Sequence, residues 1–240
     1  GIGRGLADVL AGKVEPADLL PGSLEGGAAE ALRRDAPPWR GAHLLTQRLV
    51  LRLLARAPRT RRFRILDLGR GTGGVTSLLL PVLAEFSPDY VIGRASLSEL
   101  EKSRVRFGGL PFARFELVEA GRGTPGRGPA DGSVDILVSS FYLGAEREIA
   151  ASLDRFRRLL APGGRLILAE PDAPGLWFDL LYGLLDGARS GAVTPWEDLL
   201  RGRGFAFVSD VAAMCRCAGA RLFIAEATIP GEADPPRDAV

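Results

Sequence analysis

Ile65-Leu66-Asp67-Leu68-Gly69-Arg70-Gly71-Thr72-Gly73-Gly74 decides the fold of this chain. A short apolar run opens into four glycines within six residues, and the segment after them, VTSLLLPVLAEF, has helical spacing. Strand, glycine loop and helix in that order form a ligand cradle. Glycine lets the backbone turn tightly and approach a ligand, while the N–H groups opening the helix face it. Gly69-x-Gly71-x-x-Gly74 on its own also fits a dinucleotide fingerprint, and a purely structural tight turn would use the same residues.

Outward from the loop, short apolar runs and helical segments alternate. Strands are expected over 63–68, 90–93, 112–118, 134–139 and 165–170, with helices over 75–86, 96–107 and 146–160. This spacing predicts an α/β fold with a doubly wound, mostly parallel sheet. The tail differs, because 205–208 and 221–227 read as two strands joined by a short link, an antiparallel hairpin at one edge. Residues 1–62 read as a helical preface. Leu6, Val9 and Leu10 share one face, and Leu44, Leu45, Leu49, Val50, Leu53 and Leu54 form a longer apolar stripe. The Pro/Gly-rich PGSLEGG and APPW are read as a loop between these two helices.

Composition narrows the function. The 240 residues carry 31 basic and 29 acidic side chains, net +2, so no global polycation argues for nucleic acid. Arginine makes up 29 of the basic residues, a bias read as genomic. The cluster Arg56, Arg59, Arg61, Arg62 and Arg64 is read as a solvated loop, with a basic patch as the alternative. No apolar run approaches the roughly 18 residues of a membrane span. Cys215 and Cys217 with one histidine make no ordinary zinc site, so no metal is expected, and a reducing, cytoplasmic compartment is. The opening GIGRGLADVL is not read as a signal peptide, and a start on Gly1 suggests a piece of a longer chain.

Asp67, two residues before the first glycine, resembles motif I of the class I S-adenosylmethionine-dependent methyltransferases. Asp135 in DGSVDILVSS and the Pro162-Gly163-Gly164 turn before RLIL are similar to that family's fourth and fifth strands. A closer resemblance covers nearly the whole chain. LADVLAGKVEPADLLPG, RILDLGRGTGGVTSLLLPVL, LLAPGGRLILAEP and WFDLLYGLLDG look like the C-methyltransferase domain of modular polyketide synthases. The resemblance implies a helical N-terminal lid over 1–62 and a methyltransferase core over 63–240, with a shortened lid insertion over 171–204. It also implies methylation of the α-carbon of a β-ketoacyl chain on an acyl carrier protein, among neighbouring synthase domains. Asp67, Gly69, Gly71, Gly73 and Glu119 stand where that family binds the donor.

Other positions depart from the family. Its Tyr-x-x-x-Asp-x-Ser segment, whose acid accepts bonds from both ribose hydroxyls, is Tyr90-Val91-Ile92-Gly93-Arg94-Ala95-Ser96 here. Guanidinium has no acceptor, and charge-assisted hydrogen bonds are worth about 1.5–3 kcal/mol each, so no tight donor binding is expected. An Arg94 turned into solvent is the alternative. The family's Asn-Val-Leu-His-Ala becomes Phe141-Tyr142-Leu143-Gly144-Ala145, removing the histidine that helps form the enolate. Its glutamate partner corresponds to Asp186, read as a turn or cap carboxylate. His43 falls where the family has a polar residue near the pocket and is read as a loop or helix-surface residue. His43, Asp186 and Tyr142 are the possible substitutes. Trp196 is read as a core tryptophan of the following helix.

These losses lead to one expectation, a non-catalytic pseudo-C-methyltransferase domain kept for a structural role. An active enzyme with rearranged residues, using S-adenosylmethionine, is the alternative. An NADP-binding reductase is the remote one, because Arg94 could meet a 2′-phosphate but no Tyr-x-x-x-Lys pair is present.

Overall fold

The computed structural model describes residues 7–8, 11–13, 37–57, 62–69, 73–118, 128–140, 142–143, 149–171, 194–211 and 220–228. Helix α1 (Pro37–Ala55) leads to β1 (Arg64–Gly69), α2 (Gly74–Leu83), β2 (Asp89–Arg94), α3 (Leu97–Phe107), β3 (Ala113–Leu117) and β4 (Val134–Ser140). Then follow α4 (Ile149–Leu159), β5 (Leu160–Pro171), α5 (Trp196–Gly202), β6 (Phe205–Asp210) and β7 (Ala220–Ala227). One seven-stranded sheet has the order β3-β2-β1-β4-β5-β7-β6. The first five strands pair in parallel, and β7 runs antiparallel between β5 and β6. The doubly wound α/β expectation and the edge hairpin both hold.

Period-two alternation explains why the strands are apolar throughout. On β1, Ile65 faces one layer with Val50 and Leu54 of α1 and Val75 and Leu79 of α2. Leu66 and Leu68 face the other layer with Leu153 and Phe156 of α4 and Trp196 and Leu200 of α5. Trp196 is thus the core tryptophan that the sequence suggests. The Ala161-Pro162-Gly163-Gly164 turn is absorbed into β5. Leu160 pairs with Val134 and Arg165 with Ile136, so the four residues between loop out of register.

Two expectations about the preface change. Pro37 and Pro38 open α1 and do not interrupt the chain; proline in a first helical turn sacrifices no intrahelical bond. The apolar stripe of α1 also loses its first member, while Val50 and Leu54 are buried and Leu45, Leu49 and Leu53 pack partly buried against the same core. Trp39, Ala42, His43, Thr46, Val50 and Leu54 are buried, whereas Leu44 is 40% exposed. The Leu6, Val9 and Leu10 helix and nearly all of the 171–204 segment before Thr194 lie outside the described residues, as do both cysteines.

At the amino ends of the strands, Asp135 Oδ2 accepts the Arg64 N–H at 2.9 Å. Asp89 accepts from the Arg64 and Arg114 side chains. Burial alone would raise the Asp89 pKa, but bonds to Arg64 and Arg114 outweigh it and hold the carboxyl below its ordinary value. At the far edge, the β6 register shifts between Ala206 and Ser209. Phe207 there is left-handed, at φ 47°, and 68% exposed.

Phe156 is fully buried, with its ring 6.2 Å from that of Tyr142. Phe156→Ala is expected to cost about 3–5 kcal/mol, read as a fall in the urea midpoint with an unchanged slope.

Candidate functional site

The sheet order reverses between β1 and β4, and in open α/β sheets ligands bind outside the carboxyl ends of the strands at such a point. Asp67, Gly69, Gly73, Arg94, Ser140 and His43 converge there. Gly73, in front of α2, has φ 80°, and a Cβ on it would lie 2.7 Å from Thr76 Oγ1. Only glycine fits that turn.

Beneath the loop lies a buried polar network. Asp67 is 1% exposed. Its Oδ2 accepts from Thr76 Oγ1 at 2.5 Å and from the Tyr90 hydroxyl at 2.7 Å. Burial first, and then the Asp67 carboxylate, push the Tyr90 hydroxyl well above its ordinary pKa, so it remains a donor.

Arg94 does not reach solvent; it is fully buried. Its Nε donates to Ser103 Oγ of α3 at 3.1 Å. One terminal nitrogen donates to the carbonyls of Gly93 and Asp67, at 2.7 and 3.2 Å. The other donates to Thr76 Oγ1 at 3.0 Å. The guanidinium also lies 3.9 Å from Asp67 Oδ1, within range for charge pairing. The carboxyl end of β2 is therefore occupied by a cation aimed under the glycine loop. The sequence points to Arg94 but not to Thr76, Tyr90 and Ser103; polar residues on helix and strand faces that are otherwise apolar were the available signal.

His43 is the clearest correction. It is 2% exposed, on the inner face of α1, with Nε2 3.5 Å from Ser140 Oγ at the end of β4. A Cβ on Gly74 would come within 2.7 Å of its ring, so the glycine opening α2 makes room for it. The reading as a surface histidine fails because residues 39, 43, 46 and 50 share one helical face. The single histidine of the chain thus stands at the switch point.

Tyr142 belongs to the core. Its hydroxyl donates to the Val118 carbonyl at 2.9 Å, beneath α4. Next to it, the Leu143 N–H donates to Glu170 Oε1 at 2.9 Å, tying the segment after β4 to the end of β5. Glu170 is fully buried and was not singled out in the sequence. Gly71, Glu119, Gly144 and Asp186 lie outside the described residues. Among the described residues, no group of three His, Cys, Asp or Glu side chains could hold a metal, and no helix is long and apolar enough to cross a membrane.

This sheet order, with its antiparallel β7 and a glycine loop at the switch point, agrees with what comparison finds. The methyltransferase domain family matches residues 39–218. The chain belongs to that family. It is 32% identical over 225 residues to the non-reducing polyketide synthase ausA of Penicillium brasilianum, an alignment covering 86% of this chain and 9% of that protein. It is 33% identical over 222 residues to ausA of Aspergillus calidoustus, with the same coverage. The chain thus spans about a tenth of the length of these relatives. Among solved structures, the citrinin polyketide synthase CMeT domain superposes with TM-score 0.82 at 29% identity, over 94% of this chain and 62% of that one. The CurJ carbon methyltransferase superposes with TM-score 0.81 at 23% identity, over 94% and 64%, which speaks for the fold.

The donor used by such folds can be tested against the residues present. Where the resemblance implies a ribose-binding acid, this chain offers a buried guanidinium without an acceptor. The end of β2 does not fit the ribose hydroxyls.

If Arg94 holds the Asp67 charge, Arg94→Met should cost about 3–5 kcal/mol, because a buried carboxylate is left without its cation. Arg94→Asp should cost more, by facing Asp67 with a second carboxylate. Asp67→Asn in the Arg94→Met background should recover a large part of the loss. Urea unfolding of the parent, the single variants Arg94→Met and Asp67→Asn and their double measures the coupling; independent, additive losses would contradict it.

Proposed function

We propose that this chain is a C-methyltransferase-type domain of a polyketide synthase that no longer transfers methyl groups and serves as a structural element between its neighbours. Residues 1–62 then form a helical cover, 63–240 the core, and 171–204 a trimmed lid. One observation carries the reading: Arg94 is built into the interior through Asp67, Thr76 and Ser103, so the ribose-anchoring position has become part of the packing. The family's enolate-forming histidine is replaced by Gly144, and Asp186 stands without that partner, which supports the same conclusion. In the intact synthase the partners are the flanking domains, in the cytoplasm, and the carrier protein passes this domain without reacting at it.

His43 favours a second reading, an active S-adenosylmethionine-dependent enzyme acting on a β-ketoacyl carrier substrate. An imidazole buried beside Ser140 at the switch point is placed to exchange a proton, and a positioned base contributes about 10²–10⁴-fold. In that case His43→Gln would abolish turnover while leaving donor affinity unchanged.

Calorimetric titration with S-adenosylmethionine and S-adenosylhomocysteine separates the readings. The non-catalytic domain is expected to give no heat of binding with either compound, from a folded and monodisperse sample. Micromolar binding of either, followed by methyl transfer to a β-ketoacyl carrier substrate, would overturn it.

A further inference from the structure

Residues 37–64 contain eight arginines and no acid, in a chain whose net charge is only +2. Most of this stretch is α1, whose inner face is fixed by Trp39, His43, Thr46 and Val50 against the sheet and α2. Its outer face carries Arg48 and Arg52, and the turn that closes it carries Arg56. All three are exposed and follow at four-residue steps. None of them has an ion pair among the described residues. Leu44, 40% exposed, continues the row towards the start of the helix.

Like charges at i, i+4 repel. The helix dipole compensates for Arg52 and Arg56 near the C-terminal end, but not for Arg48. A general arginine bias does not explain the row either, because the other charged helices carry acids among their basic residues. α3 has Glu99 and Glu101, α4 has Asp154, and α5 has Glu197 and Asp198. Past Arg56 the chain reaches the amino ends of the strands. There a cavity of about 450 Å³ is lined by Arg62, Arg64, Arg114, Asp89 and Asp135. Asp89 is already engaged by Arg64 and Arg114, and Arg62 is exposed without an acidic partner among the described residues.

We propose that the row Arg48-Arg52-Arg56 docks a carboxylate-rich protein surface, with the exposed Arg62 lining the cavity as a further cation. The occupant follows from three observations. The curated relatives are about ten times as long as this chain, so what flanks the matching region there is protein, held at high local concentration. Arg48 to Arg56 form a single ridge about 12 Å long, a length that a short row of carboxylates on a facing protein element matches. The apolar face of α1 is spent on the sheet, leaving only Leu44 on the outer row, too little apolar surface to enter a lipid surface. The inference deepens the structural-element reading by naming the partner's chemistry, and it rests on that reading for its place in the synthase.

The test uses fluorescence anisotropy of labelled poly-L-glutamate of about 20 residues, at low salt where exposed charges are least screened. The chain is expected to bind saturably, and R48Q/R52Q/R56Q to bind about tenfold more weakly, with an unchanged circular dichroism spectrum. R104Q/R106Q on α3 should bind like the parent. Single Arg52→Gln, with about a twofold loss, serves if the triple variant does not fold. Equal binding by the triple variant, an equal loss in the α3 variant, or tighter binding to duplex DNA or phosphatidylserine vesicles would overturn the proposal. Titrating the same proteins with S-adenosylmethionine keeps the two proposals apart. Donor binding followed by methyl transfer contradicts the non-catalytic reading alone, and loss of polyglutamate discrimination contradicts the docking surface alone.

Discussion

A carboxylate with almost no access to water must be answered from inside the protein, and Asp67 sets that condition at the end of β1. The answer comes from three directions: Thr76 from α2, Tyr90 and Arg94 from β2, and Ser103, through Arg94, from α3. Thr76 receives from the guanidinium and donates to the carboxylate, so each bond polarises the next. Two strands and two helices are thereby tied at one point, directly below the glycine loop. The residue at the end of β2 is well placed to hold a ligand, and here its side chain holds the fold instead.

Much of the architecture was legible in the sequence because it follows from local chemistry. Apolar runs bounded by glycine and turn residues specify strands buried on both faces, and six of the seven strands begin and end within a few residues of those runs. The exception is β5, whose earlier start reflects pairing of Leu160 with Val134 across a looped-out turn, a tertiary event with no local signature. The start of α1 was misread because proline usually breaks a helix, and only its position in the first turn makes it harmless. The apolar stripe misled only at Leu44, because nearly every face of that helix contains leucine. Burial was decided by which face meets α2 and the sheet, and that face includes His43 and Thr46.

At the candidate site the sequence shows departures from the family it resembles, but not the arrangement that the side chains adopt. Arg94 could be recognised from its neighbours as a missing acid. Its direction could not, because it depends on Ser103, nine residues away on a different element, and on Thr76 from the first turn of α2. His43 was similarly misplaced. Its burial depends on Gly74, whose missing side chain leaves space for the ring, and that complementarity joins residues 31 positions apart.

A seven-stranded sheet that does not close has two outer strands, each with a row of backbone groups that another chain could use. At β6 the row is broken. The left-handed turn at Phe207 shifts the register and projects an aromatic ring outward where a newcomer would need a straight, evenly spaced partner. Such an interruption keeps this edge of the sheet from being extended by a strand of another chain, so contacts on this side are left to side chains.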